Sequence, residues 1–423
     1  MKRYLAKHSW QLIIFSTIHV VIFLFWFQSP IYDKLTPGFS GFLVFWDYSS
    51  NIAQGLLPYR DFAVEYPPLG MVFITLPRLI TTSADTYWIA FVIEMLLFDL
   101  AGLFIIAGLA KRLGLSLWQT LVIYTLALLA IGRIISIRYD LVPAILTALA
   151  IYAFIRGKYK VAWALLAAGT FTKIYPIVIA PVFLLYHVRT NTKRQIISGV
   201  ITFAVTSAAI VVLPLLWSPG GFWQSFTYHA ERGLQLESIY SSFLLVCQAF
   251  GLTSLATADS FGSVTVTSAV ANLLAQISPL IVLFSLVTAY WLFYRERRES
   301  TAVKKKFVPL NQSDAACIVK YSFLAILVFI ITNKVLSSQF IIWLYPLIPL
   351  LVGRWRSVTW IIFIITGVMT YFVYPVYYRA IISGSYLAVG LLFVRNMLLI
   401  VLAYLVAAKA SERQEKVGNG IEE

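Results

Sequence analysis

Apolar runs long enough to cross a bilayer recur along the whole chain, and that recurrence limits the fold more than any motif does. A bilayer's hydrocarbon core is about 30 Å thick, which takes roughly 20 apolar residues of helix to cross. In lipid every backbone polar group needs a partner within the protein, so a spanning segment is a helix or part of a closed barrel. The runs here exceed barrel-strand length and lack barrel alternation. Only 12% of the residues are charged, about half the ~25% of a soluble chain. The expected fold is an all-α polytopic membrane protein with about 12 transmembrane helices. They are read at 10–27, 86–110, 117–133, 140–155, 161–172, 174–187, 196–216, 269–294, 317–332, 338–352, 357–376 and 386–408. The first run follows a basic start, like a signal peptide, but no small-residue cleavage site precedes "QSPIYD". It reads as an uncleaved first span.

The net charge of +15 fits the excess of Lys and Arg on cytosolic loops better than nucleic-acid binding. With the N-terminus inside, segments 1–9, 111–116, 156–160, 188–195, 295–320, 353–356 and 409–423 hold 23 of the 33 basic residues. Both termini are then cytosolic. One transmembrane domain spans 1–423, with outer loops 28–85 and 217–268, a cytosolic basic loop 295–316 and a tail 409–423. Helices lying along the interface are expected at 40–56, 68–80 and 240–252. Cys247 and Cys317 stand far apart and give no metal or redox spacing.

The other ten basic residues, among them Lys34, Arg60, Arg138, Lys173, Arg232, Lys334 and Arg395, lie within the membrane or on its outer side, against the sorting rule. They cluster with acids. The first outer loop carries Asp47 beside "FLVFW", then "PYRDFAVEYPPLG" (58–70) with Asp61 and Glu65. Pro67 and Pro68 exclude a continuous helix there. A carboxylate against an apolar wall is one whose basicity can be tuned; the plain alternative is a polar linker with interfacial Trp and Tyr. "RIISIRYDLVPA" (133–144) reads as an Arg–Asp pair in a helical turn, or as an Arg free to meet an anion. "GTFTKIYP" (169–176) sets Lys173 between two apolar runs, either snorkelling or binding phosphate. "YHAERGLQLES" (228–238) and "TNKVLSSQFIIWLYP" (332–346) add His229, Arg232, Glu237, Lys334 and Gln339. Glu94 and Asp99 fall inside a span, as a relay or as hydrogen-bonded structural groups.

Taken in order, these five motifs resemble glycosyltransferase family 87, the polyprenol-phosphate-mannose-dependent α-mannosyltransferase relatives of the GT-C superfamily. The resemblance covers roughly residues 10–350. It implies a GT-C fold with juxtamembrane helices in the first outer loop. It implies a hexosyltransferase that moves a sugar, mannose first among the candidates, from a polyprenyl phosphate to a lipid or glycan acceptor in cell-envelope glycolipid synthesis. The active site would lie at the outer face of the plasma membrane. Asp47 stands where the family's first-loop acid falls, with Asp61 and Glu65 as rivals for the base. Lys173, Arg138, Arg232 and Lys334 are the candidates for the donor phosphate, and Tyr59, Arg60, Tyr66, His229, Glu237 and Gln339 for shaping the loops and the acceptor site. No cofactor is expected; a divalent metal is neither required nor excluded. The rival readings are a lipid or sugar transporter that uses Glu94, Asp99 and Arg395 for coupling, and a non-catalytic partner in an envelope complex.

Overall fold

A computed structural model describes residues 2–28, 40–190, 192–260, 262–301 and 310–408. Lys34, the tail 409–423 and part of the basic loop lie outside the described residues. Each of the twelve apolar stretches is helical. Seven helices are long and apolar enough to cross a membrane: Ser9–Phe27, Ala84–Arg112, Lys193–Trp217, Ala269–Glu296, Gln312–Thr332, Arg356–Val376 and Tyr386–Ala407. The chain is an all-α multi-pass membrane protein in its spans.

The other apolar helices are shorter. Leu141–Ile155 has 15 residues and Tyr159–Thr172 has 14. Residues 338–350 form two 3-10 segments rather than an α-helix. Lys193–Trp217 and Ala269–Thr301 turn large apolar side chains outward, including Ile201, Val205, Leu280 and Phe284. Such a belt would aggregate in water and is the contact surface for lipid. Close packing needs small residues: a Cβ on Gly199 would come within 2.2 Å of the Trp163 indole. Gly70 likewise lets Pro68–Thr75 lie on the carbonyl of Thr172.

Helices Ser40–Ala53, Pro68–Thr75 with its 3-10 continuation, and Ile239–Ala249 occupy the three stretches read as interfacial. The second loop also holds strands, which the helical reading did not include. β1 (Leu234–Gln235) pairs with β3 (Ser263–Thr267), and β3 with β2 (Ala256–Ser260), all antiparallel. "SVTVT" is a short β-branched alternation suited to a half-buried strand. Its Val264 and Val266 join Leu234, Leu236 and Leu244 in a second small core. That core is closed by Val373, Ile381 and Leu392 from the last three helical segments described.

Deep in the bundle, Asp99 is fully buried. Its carboxylate meets His19 Nδ1 at 2.5 Å and accepts from the Tyr124 and Tyr345 hydroxyls at 3.0 and 2.8 Å. His19 Nε2 lies 2.9 Å from Thr125 Oγ1. This is the structural alternative for Asp99, with every group satisfied. Both oxygens of Glu94 are buried without a hydrogen-bond partner among the described residues.

Candidate functional site

The two loops meet at one end of the bundle. Residues 57–62 form a tight turn: Tyr59 N donates to Phe62 O, and Leu57 N donates to the Asp61 carboxylate at 2.7 Å. Arg60 pairs with the same carboxylate at 2.8 Å. Tyr59 has φ +69°, in the left-handed region that costs a non-glycine residue energy. The second loop holds it there. Trp217 Nε1 donates to Pro58 O at 2.9 Å, and Ser218 Oγ to Tyr59 O at 3.0 Å. Gly221 packs so closely that a Cβ would sit 1.8 Å from Tyr59 O. The Tyr59 hydroxyl then donates to Tyr66 O at 2.6 Å, fixing the acid that immediately precedes Tyr66.

That acid is Glu65. Pro67 is extended, and the next helix begins at Pro68, so Glu65 is presented on a stretched segment. His229 Nε2 donates to its carbonyl at 2.9 Å, which places the proton of neutral His229 on Nε2. The Tyr66, Tyr228 and Tyr48 phenols lie within electrostatic reach of its carboxylate. Burial raises the Tyr48, Tyr66 and Tyr228 phenols above their ordinary range, and the Glu65 charge adds to this. These hydroxyls stay protonated and act as donors. Burial pushes His229 below its ordinary value, and the cations Arg232 and Lys173 add to the shift.

Asp47 lies on Ser40–Ala53 and is exposed. Asp61 is committed to Arg60 and the turn, which hold its carboxyl below the usual range. Of the three acids named from the sequence, Glu65 is the one gathered into a polar cluster with the second loop.

The basic residues separate into two kinds. Lys173 is paired: its Nζ lies 2.5 Å from Asp140 Oδ1, to which Trp343 Nε1 also donates at 2.7 Å. The rings of Tyr139, Phe340 and Trp343 surround the ammonium within 5.0–5.7 Å. Phe340 and Trp343 stack at 4.0 Å because a 3-10 segment places residues i and i+3 in register. Asp140 thus takes Lys173 rather than the adjacent Arg138, whose Nη2 reaches the Tyr374 hydroxyl at 3.4 Å. Arg232 and Lys334 lie within electrostatic reach of each other, and neither meets a carboxylate among the described residues. Arg232 donates to Ser263 Oγ at 2.7 Å and leaves a buried Nε without a partner. Lys334 donates to Ala230 O at 2.7 Å; burial and then Arg232 lower its basicity. Glu237 is buried against Arg395 and accepts from Ser338. Gln339 is partly buried at the start of the same 3-10 segment.

The family profile of glycosyltransferase family 87 matches residues 64–312, more than half of the chain. The chain belongs to glycosyltransferase family 87. The family-87 match covers Glu65, Arg138, Asp140, Lys173, Arg232 and Glu237, and stops before Lys334 and Arg395. No curated protein matches the chain at a significant level. Among the described residues no group of three or more His, Cys, Asp and Glu side chains comes together. Tyr66 was named as a site residue from the sequence; the ring cage around Lys173 and the other two tyrosines near Glu65, Tyr48 and Tyr228, were not. The one local signal was the spacing of Phe340 and Trp343 after "SSQ", which reads equally well as helix.

Proposed function

We propose that this family-87 glycosyltransferase transfers a sugar from a polyprenyl phosphate to a hydroxyl of a lipid or glycan acceptor, with Glu65 as base. The observation that carries the reading is the juxtaposition of Glu65 with an uncompensated cation pair. His229 donates to the Glu65 carbonyl, Tyr228 lies within electrostatic reach of the Glu65 carboxylate, and Arg232 follows just past the end of the helix that carries both. Glu65 takes the proton from the acceptor hydroxyl as its oxygen attacks the anomeric carbon. The bond from that carbon to the phosphate oxygen breaks, and its electron pair leaves on the phosphate. Arg232 and Lys334 meet the charge that develops there. One displacement without a covalent intermediate inverts the anomeric configuration. Lys173, already neutralised by Asp140, shapes the floor of the site.

The lipid chain of the donor has a place to lie. Ile174 and Ile177, just after Lys173, are exposed. Ala180–Arg189, which follows them, packs against both Lys193–Trp217 and Ala269–Thr301. A chain seated along 174–189 would lie in the groove between those two helices. The basic segments at the opposite end of the bundle support an outer-face site. Mannose is the sugar the family resemblance favours.

The test is transfer of label from polyprenyl-phosphate [14C]mannose into a membrane lipid extract. Wild type, Glu65→Gln and Asp47→Asn are compared at equal folded protein. Loss by about 100- to 10,000-fold is expected for Glu65→Gln, and near wild-type transfer for Asp47→Asn. The reverse result moves the base to Asp47.

A further inference from the structure

The last span lies outside the family match, yet it enters the polar network of the second loop. Arg395 and Asn396 are both buried, 1% and 0% exposed. Arg395 Nη2 lies 3.4 Å from Glu237 Oε2, and Asn396 Nδ2 donates to the carbonyls of Glu237 and Ser238 at 3.3 and 3.2 Å. Glu237 in turn accepts from Ser338 Oγ. Two residues earlier, Gln235 N donates to the Lys334 carbonyl at 3.0 Å, and Gln235 Nε2 to Ser337 Oγ at 2.8 Å. The turn 235–238 is therefore clamped between the last span and the segment 334–338.

That clamp leads to the reacting end of the site. Lys334 stands at one side of it, and Ser338 opens the 3-10 segment that carries Phe340 and Trp343 over Lys173. Arg232 precedes β1 by two residues and is tied to β3 through Ser263. We propose that Arg395 is a positioning residue for sugar transfer, setting through Glu237 and Ser338 the spacing of the Arg232–Lys334 pair from Glu65. The inference rests on the transfer reaction proposed above. Arg395 touches neither Glu65 nor the cation pair; its action passes through the clamped turn. A buried ion pair by itself is weak grounds for stability, since apolar isosteres often replace one without loss. A pair kept beside a site is better explained by the geometry it imposes.

The experiment separates position from stability. Arg395→Met alone strands Glu237 as a lone buried carboxylate and is expected to unfold part of the protein. The informative variants are Arg395→Met combined with Glu237→Leu, which buries no charge, and Ser338→Ala, which cuts the link and keeps the pair. Each is read in thermal melting, in kcat and KM for polyprenyl-phosphate mannose, and in binding of undecaprenyl phosphate in nanodiscs. Glu65→Gln serves as the chemical control. The expected result is melting close to wild type, with kcat/KM lower by about 10- to 100-fold and undecaprenyl phosphate bound about tenfold more weakly. Arg395→Lys is expected to recover part of both. Wild-type turnover and binding in the double variant and in Ser338→Ala would overturn the inference. If wild type transfers no mannose, the proposed reaction fails, and undecaprenyl phosphate binding alone decides the role of Arg395.

Discussion

Asp99 and Glu65 are two acidic centres that differ in what surrounds them. Asp99 is sealed, with its carboxylate saturated by His19, Tyr124 and Tyr345. Glu65 is only partly buried, and the cations within reach of its cluster are not all paired. The first arrangement binds four separate parts of the chain to one another. The second leaves a carboxylate and two cations with capacity to spare. Position in an apolar chain therefore does not separate structural from functional acids, whereas the balance of partners does.

The comparison is broken most directly by exchanging the effects of the two acids. Asp99→Leu leaves two phenols and an imidazole without their acceptor. It is expected to cost about 3–5 kcal/mol of stability, while the protein that still folds turns over within about twofold of wild type. Glu65→Gln is expected to do the opposite. Melting curves in detergent with turnover per folded molecule check both, and a catalytic loss from Asp99→Leu beyond its folded fraction would end the distinction.

The lysines sharpen the same contrast. Lys173→Met strands Asp140 beneath its rings and is expected to destabilise by about 3 kcal/mol or more. Lys334→Met strands no acid. It is expected to leave melting unchanged and to weaken donor use by about 10- to 100-fold, the equivalent of a charged hydrogen bond of about 1.5–3 kcal/mol. A smaller effect is expected where the two loops touch. Gly221→Ala drives a methyl into Tyr59 O, an overlap costing about 1–3 kcal/mol, and slows transfer by displacing the Tyr59–Tyr66 link.

The smallest expected effect is a pH slope. His229 is held below its ordinary value, so the unfolded chain binds the extra proton first. Stability then falls as pH drops below about 6.5, and His229→Gln removes that part of the slope. Melting points between pH 5 and 7.5 test the sign.

The helices were legible because a run of lipid-facing side chains is a local property of the chain. The sheet was not, because β1 and β3 bury Leu234, Val264 and Val266 in a core shared with Val373 and Leu392, more than a hundred residues away. Partner choice failed for the same reason. "RYD" suggests an Arg138–Asp140 pair, but Asp140 takes Lys173, 33 residues on, and Trp343, 203 residues on. Asp47 was placed first among the three acids, and Glu65 stood as a rival with no local feature to raise it. What distinguishes it is contributed by Tyr228 and His229 of the second loop. Arg395 entered the sequence reading only as a coupling charge of the rival transporter, because its partner Glu237 lies 158 residues earlier.

The short helices beside Asp140 and Lys173 carry one more consequence. At 1.5 Å per residue, Leu141–Ile155 and Tyr159–Thr172 rise only about 21–22 Å, against a hydrocarbon core of about 30 Å. With the other ends of these helices at the far interface, Asp140 and Lys173, at the loop ends, would stand some distance below the headgroups of the nearer leaflet. A molecule diffusing sideways in that leaflet meets the floor of the site at its own depth. Such a protein is a gauge of bilayer thickness: a thinner membrane brings the floor toward water, and a thicker one draws it further into oil.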